Sequence, residues 1–325
     1  GGKLTSCLVN PRACHETELN YIPTQQIKKI AVVGAGPAGL AAATVAAERG
    51  HSVTLFDAAG EIGGQFNVAK RVPGKEEFYE TLRYFKKKLE TTGVDLRLNT
   101  RVSVDDLVKG GFDEIILATG IMPRTPAIPG IDNAKVISYL DAILQRKPVG
   151  QKVAVIGAGG IGFDVSEYLT HQGTSASLDA DKFNREWGID KDYREAGGMM
   201  PAEVEASPRE VFLLQRKATK VGDGLGKTTG WIHRAGLAAR QVKMVPAVQY
   251  ERIDDAGLHV RINDEARVLD VDHVIICAGQ EPQRELHADL VAAGLSVHLI
   301  GGADVAAELD ARRAINQGVR LAAAI

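Results

Sequence analysis

Three glycines in Gly34-Ala35-Gly36-Pro37-Ala38-Gly39, directly behind the apolar run Ile30-Ala31-Val32-Val33, have the spacing of a backbone cradle for a pyrophosphate. Gly34 permits the tight turn out of a strand, Gly36 lets backbone approach the phosphates, and Gly39 lets the following helix pack close to that strand. The phosphates would meet the helix N-terminus, where free N–H groups and the helix dipole favour negative charge. Asp57 ends the next apolar run, Ser52-Val53-Thr54-Leu55-Phe56, and lies 18 residues beyond Gly39. That is where a carboxylate can hydrogen-bond a ribose 2′-hydroxyl, and it favours a dinucleotide site over a glycine turn without a ligand.

The pattern recurs. Lys152-Val153-Ala154-Val155-Ile156 leads into Gly157-Ala158-Gly159-Gly160-Ile161-Gly162. The strand expected next, Glu210-Val211-Phe212-Leu213-Leu214, is followed by Gln215-Arg216-Lys217 and no acid. An acid there favours a free 2′-hydroxyl, whereas Arg216 and Lys217 suit a 2′-phosphate, so the second site is expected to take NADP. The plainer alternative is a surface strand end with two ordinary charges.

The elements that must position these residues follow from periodicity. Residues 1–27 show little, and form an expected N-terminal arm. Glu61-Ile62-Gly63-Gly64-Gln65-Phe66 carries paired glycines, which suit backbone lying close to a ligand. Phe78, Leu82, Phe85 and Leu89 predict a helix over 75–91, with Lys86-Lys87-Lys88 on its solvated face. Strands are expected at 94–98, 113–117, 273–277 and 296–300, and a helix over Glu308 to Gln317. Pro123, Pro126, Pro129 and Gly130 form a stiff connector. The second copy of the pattern is longer than the first, and its excess fits a polar insertion from about His171 to Pro208. The closing strand belongs with the first copy, because the second is complete at Gly279. The fold class expected is therefore α/β, with two Rossmann-like dinucleotide-binding domains, the second inserted into the first. The expected boundaries are 28–147 and 280–325 for the first domain and 148–279 for the second.

Composition agrees with a two-domain globular chain: 325 residues, 45% hydrophobic and 25% charged. A net charge of −2 without a basic block gives no reason to expect nucleic acid or an anionic membrane surface. No apolar run is long enough to span a bilayer, and no signal peptide is evident. Three cysteines cannot build a disulfide framework, which fits a reducing cytoplasm. The opening Gly1-Gly2-Lys3 has no methionine and reads as the start of a processed or excised piece.

Two glycine units, the first followed by an acid, the Ala118-Thr119-Gly120 and Ala278-Gly279 turns, and Gly301-Gly302-Ala303-Asp304 together resemble the two-dinucleotide-binding-domain flavoproteins. The resemblance implies FAD on the first domain and a nicotinamide cofactor on the second. Carried over by residue, it assigns Gly34, Gly36, Gly39, Asp57, Gly64, Gln65, Gly302 and Asp304 to FAD, with Thr119 and Gly120 as turn residues beside it. Gly157, Gly159, Gly162, Arg216 and Lys217 go to NADPH.

A narrower resemblance rests on Thr5-Ser6-Cys7-Leu8-Val9-Asn10-Pro11, the run 61–66, Leu225-Gly226-Lys227-Thr228-Thr229-Gly230-Trp231-Ile232-His233-Arg234, Ala278-Gly279-Gln280-Glu281-Pro282 and Glu308-Leu309-Asp310-Ala311-Arg312-Arg313. These runs are similar to the C-terminal half of the bacterial 2,4-dienoyl-CoA reductases of fatty acid β-oxidation, a family related to trimethylamine dehydrogenase. The resemblance implies a partner N-terminal barrel holding FMN, the acid/base residues and three of four cysteines for a 4Fe-4S cluster. Cys7, in its Cys-x-x-Asn-Pro setting, matches the fourth cysteine. A cluster needs several convergent thiolates, so this chain cannot hold one alone. Cys14 is read as an ordinary thiol, and Cys277 as a small apolar residue on a buried strand.

The expected function is the FAD- and NADPH-binding electron-input portion of such an enzyme, passing hydride from NADPH to FAD and electrons onward to the cluster and FMN. The alternatives are a free-standing NADPH:acceptor oxidoreductase with FAD and a nucleotide-binding structural domain without turnover. Arg216, Lys217 and the intact second glycine set argue against the last. Dithiol chemistry is set aside for want of a paired cysteine motif. Gly222 to Thr228 departs from a P-loop because Val221 stands where glycine is required. A hydride step needs no side-chain acid or base, so no catalytic residue is assigned; His233 is read as packing or capping, and His15 and His298 have no ligand-spaced partner.

Overall fold

The computed structural model describes residues 5–307 and 310–325. The opening Gly-Gly-Lys and the first two residues of the helix expected from Glu308 lie outside the described residues. The chain divides into two compact units, 1–67 with 78–122 and 280–325, and 68–77 with 123–279.

The first unit is built on five parallel strands in the order Val297–Leu299, Glu114–Leu117, Lys29–Val33, Ser52–Phe56, Asp95–Arg97. The central three are β-branched or leucine-rich and buried on both faces, as parallel strands covered by helices must be. Val33 pairs with both Phe56 and Leu117, so the strands end level. From the central strand the chain steps outward on one side, through 52–56 to 95–97, then returns to the other side for 114–117. That reversal makes the gap beyond Val33 and Leu117 a topological switch point, where open α/β sheets bind ligands.

Helix Pro37–Glu48 is buried from Ala38 to Ala46, and its small side chains allow close approach on several sides. Leu82, Phe85 and Leu89 of helix Phe78–Thr92 share its core. Helix Ala311–Ala324 comes closer still: a Cβ on Gly318 would lie 2.3 Å from the Ala38 carbonyl oxygen. Asp310 caps that helix by accepting the Arg313 N–H.

The second unit repeats the plan with strands Val136–Ser138, His273–Ile276, Lys152–Ile156, Glu210–Leu214 and Lys243–Val245, all parallel. It adds an antiparallel meander, Val248–Asp254, Gly257–Ile262 and Glu265–Leu269. The repeat extends to a matching clamp at the sheet's lower edge. Asp113 accepts the Lys29 N–H at 2.7 Å and returns its own N–H to the Lys29 carbonyl; Asp272 does the same with Lys152.

Several expectations are changed by packing. The segments 68–77 and 123–147, expected in the first domain, lie in the second unit, because Val136–Ser138 pairs with His273–Ile276 and Val68, Val72 and Tyr139 enter the second core. The N-terminal arm is anchored: Leu19 is buried in the first core, and the Arg12 guanidinium lies over the Tyr21 ring. Lys88 is half-buried and pairs with Glu48, so only Lys86 and Lys87 are solvated. The insertion is one helix, Ala180–Trp187, with short 3-10 turns. The closing helix is described from Ala311 and runs on to Ala324.

Candidate functional site

The two glycine turns have nearly the same geometry. Gly34 and Gly157 both adopt φ +108°, and a Cβ on either would strike the carbonyl oxygen of the neighbouring strand's turn, Ala118 at 2.3 Å or Cys277 at 2.4 Å. A Cβ on Gly39 or Gly162 would sit 1.8 Å from the Gly34 or Gly157 carbonyl oxygen. These four positions need glycine to close helix onto strand. The middle glycines differ: the nearest atom to a Cβ on Gly36 is Gly64 Cα at 3.9 Å, and Gly159 has nothing within 4 Å. A methyl at Gly159 would therefore meet open space, and one at Gly36 only ordinary contact with Gly64. Neither Gly36 nor Gly159 has a side chain to cap the helix it begins, so the N–H groups of the first turn remain available to an anion.

In the first unit a cavity of about 700 Å³ opens at the C-terminal ends of the strands, lined by Gly34, Asp57, Ala59, Arg101, Thr119 and Gln283 among others. Asp57 Oδ2 accepts the Ala35 N–H and Oδ1 accepts the Ala59 N–H, each at 2.7 Å. Each carboxylate oxygen offers more than one lone pair, so both retain capacity toward a ribose hydroxyl. The run 61–66 folds over the glycine turn. Gly63 donates its N–H to the Ala35 carbonyl, and Gly64, in the left-handed region, puts its backbone against Gly36. Gln65 follows, half-buried. Thr119 turns its hydroxyl to the Gln283 carbonyl, while Gly120 adopts φ +79° to make the turn. Gly302 is buried in a 3-10 turn after the last strand; Gln317 ties that turn to Asp304, accepting the Gly301 N–H and donating to Asp304 Oδ2. Of the residues singled out by sequence, Gly34, Asp57 and Thr119 line this cavity, whose size and position at the strand ends fit a dinucleotide. Arg101 and Gln283 line it without any motif to announce them.

In the second unit, Arg216 and Lys217 are exposed beyond strand Glu210–Leu214. The turn carrying them is held by the Gln215 side-chain amide, which donates to the carbonyls of Lys217 and Thr219, and by the Ala247 N–H, which donates to the Lys217 carbonyl. Neither cation has an acidic partner among the described residues. Tyr250, from the meander, is largely buried, which pushes its phenol up despite the nearby Arg216 charge.

The remaining residues singled out by type lie elsewhere. Cys7 and Cys14 are exposed, and among the described residues no group of three or more His, Cys, Asp or Glu side chains gathers as a metal site. Burial pushes the Cys277 thiol up, so it is an inert apolar filler. His233 is exposed on helix Gly230–Ala239. His15 faces Glu18, and His298 faces Glu114. Among the described residues no helix is long and apolar enough to cross a membrane.

Comparisons with known proteins agree with this architecture. The chain is 30% identical over 315 residues to a metal reductase of Desulforamulus reducens, covering 93% of this chain and 45% of that protein. It is 29% identical over 300 residues to a cinnamate reductase of Clostridium sporogenes, covering 92% and 40%. The structure of a 2-naphthoyl-CoA reductase complex superposes with a TM-score of 0.82 at 26% identity, covering 98% of this chain and 43% of that one. The chain thus spans less than half the length of these relatives. Residues 28–313, which contain both glycine cradles, match the pyridine nucleotide-disulphide oxidoreductase family, and the chain belongs to it.

Proposed function

We propose that this chain is the FAD- and NADPH-binding, electron-input portion of a 2,4-dienoyl-CoA-reductase-like flavoenzyme acting in a cytoplasmic setting. The observation that carries the reading is the pairing of two near-identical backbone cradles with opposite charge at their ribose ends. Asp57 serves the first, Arg216 and Lys217 the second. A carboxylate suits the free ribose hydroxyls of FAD, and an unpaired guanidinium with a lysine suits the 2′-phosphate of NADPH.

Bound FAD would supply a hydride acceptor able to release electrons singly. The chain's own part is to bind and orient. Gly36, Gly64 and the uncapped turn at Pro37 offer backbone donors to a pyrophosphate, and Asp57 fixes the ribose. Gly159 and the turn at Gly160 do the same for the second nucleotide. No side chain need move a proton, and none is assigned that role.

The onward path in this reading lies in a partner barrel bearing FMN and most of a 4Fe-4S cluster, to which the exposed Cys7 would contribute one thiolate. The fractional coverage of the longer relatives supports a partner segment. The test is activity of the FAD-loaded 325-residue chain. It should reduce an artificial electron acceptor with NADPH but leave a 2,4-dienoyl-CoA unchanged. Turnover of the thioester by this chain alone would contradict the division of labour.

A further inference from the structure

Away from both cradles, the second unit holds a cluster of charged groups with no part in nucleotide binding. Arg240, at the end of helix Gly230–Ala239, has a side chain only 4% exposed. Its Nη2 donates to both oxygens of Glu186, from the insertion helix, at 3.1 Å. The same nitrogen lies 2.8 Å from His171 Nε2. Arginine can only donate, so Nε2 must accept and His171 is the neutral Nδ1–H tautomer. Its Nδ1 then faces the Glu167 backbone carbonyl at 3.1 Å and the Glu167 carboxylate at 3.3 Å. Burial and the Arg240 charge hold the imidazole below its ordinary value, in keeping with a neutral ring.

The charges do not balance. Arg240 is neutralised by Glu186, His171 is neutral, and the flanking Asp164 and Glu205 are paired with Lys75 and Lys182. Glu167 has no cation of its own among the described residues, and neither has Glu76, whose carboxylate accepts from the cavity-lining Ser177 and Gly74. The Glu167 carboxylate lies against Gly236 and lines a cavity of about 240 Å³. Phe183 and Trp187, with ring centroids 6.1 Å apart, and Ile232 form the apolar walls. A carboxylate and two aromatic side chains lining one cavity are the chemistry that recognises a cation carrying apolar substituents. We propose that this cavity binds a small organic ammonium ion, with Glu167 as counter-ion and Phe183 and Trp187 covering the apolar part.

The site's pH response follows. Burial raises the Glu167 carboxyl, with Asp164 and Glu186 adding to the rise and Arg240 opposing it, to about 7. Ammonium binding requires the ionised carboxylate, and its fraction rises roughly tenfold between pH 6 and pH 8 for such a group. Trp187 and Trp231 are the two tryptophans of the chain. Trp231→Phe leaves Trp187 as the reporter. Titrating that protein with 2-phenylethylammonium should give a saturable change in Trp187 fluorescence, about tenfold tighter at pH 8 than at pH 6. The neutral 2-phenylethanol and the anionic phenylacetate should bind at least tenfold more weakly, and Glu167→Gln should remove the preference for the cation. No saturable change, equal affinity for all three probes, or affinity independent of pH would overturn the proposal. The probe series and the pH series need no substitution at Glu167, so misfolding of that variant leaves both decisive.

Discussion

The Asp57 carboxylate receives the Ala35 N–H at 2.7 Å, joining the end of the second strand to the middle of the glycine turn. One side chain therefore shapes the glycine turn and, in the proposed function, also meets the ribose. Asp57→Asn removes the charge and sets an amide in place of one acceptor, beside an N–H of either Ala35 or Ala59. Hydrogen bonds to charged groups contribute about 1.5–3 kcal/mol, so melting should fall and FAD affinity should weaken by at least about tenfold. NADPH affinity should not change. Thermal melts and separate titrations with the two nucleotides check this.

The glycines divide into those that close the fold and those where an added methyl would find room. Gly162→Ala would put a methyl 1.8 Å from the Gly157 carbonyl oxygen, whereas Gly159→Ala meets nothing within 4 Å. The first should destabilise by about 1–3 kcal/mol or more through overpacking. The second should melt near the parent and lose NADPH binding, because its methyl fills the space the phosphates need. Parallel melts and NADPH titrations separate the two effects.

Arg216 and Lys217 should read the 2′-phosphate. Losing one contact of about 1.5 kcal/mol weakens NADPH roughly tenfold, and losing both about a hundredfold, while NADH barely responds. The measurement is affinity for both cofactors in Arg216→Ala, Lys217→Ala and the double variant at two salt concentrations. Equal losses for both cofactors would mean that these residues serve the fold.

Glu114 ties the closing strand to the first. Burial pushes its carboxyl up, but hydrogen bonds from Lys28, Ser296 and His298 outweigh that and lower it from 4.5 to about 2. A depressed carboxylate stabilises the fold above its unfolded value and loses that contribution as pH falls toward the folded one. Glu114→Gln should therefore cost about 2–3 kcal/mol at neutral pH, after allowance for solvent at the strand end. The gap between parent and variant in urea unfolding should narrow as pH falls from about 5 toward 3.

Much of the architecture was legible because its constraints are local. The glycine spacing follows in part from a contact within a few residues, Gly39 against the Gly34 carbonyl, and the helix around Leu82 and Phe85 follows from a regular apolar period. The antiparallel meander was not anticipated: its last strand is exposed and no glycine turn of recognised type marks its start. Nor was the place of 68–77, whose Val68 and Val72 join a core assembled from distant strands. Within the cradle, Asp57 was readable from its offset, but Arg101 and Gln283 reach the cavity only through tertiary placement. Glu167 and His171 stand four residues apart at the end of one helix, but Glu186 and Arg240 reach them from other elements, so spacing alone could not have shown the whole network.

In the proposed function the first cradle holds FAD and the second delivers electrons from NADPH. The direct measurement is anaerobic: reconstitute the chain with excess FAD, remove the unbound flavin, and follow the visible flavin absorbance on adding NADPH or NADH. The protein should be yellow, and NADPH should bleach its absorbance at concentrations well below those of NADH that have the same effect. A folded protein that stays colourless with excess FAD, or one that binds FAD but is bleached by neither nucleotide, would contradict the proposed function.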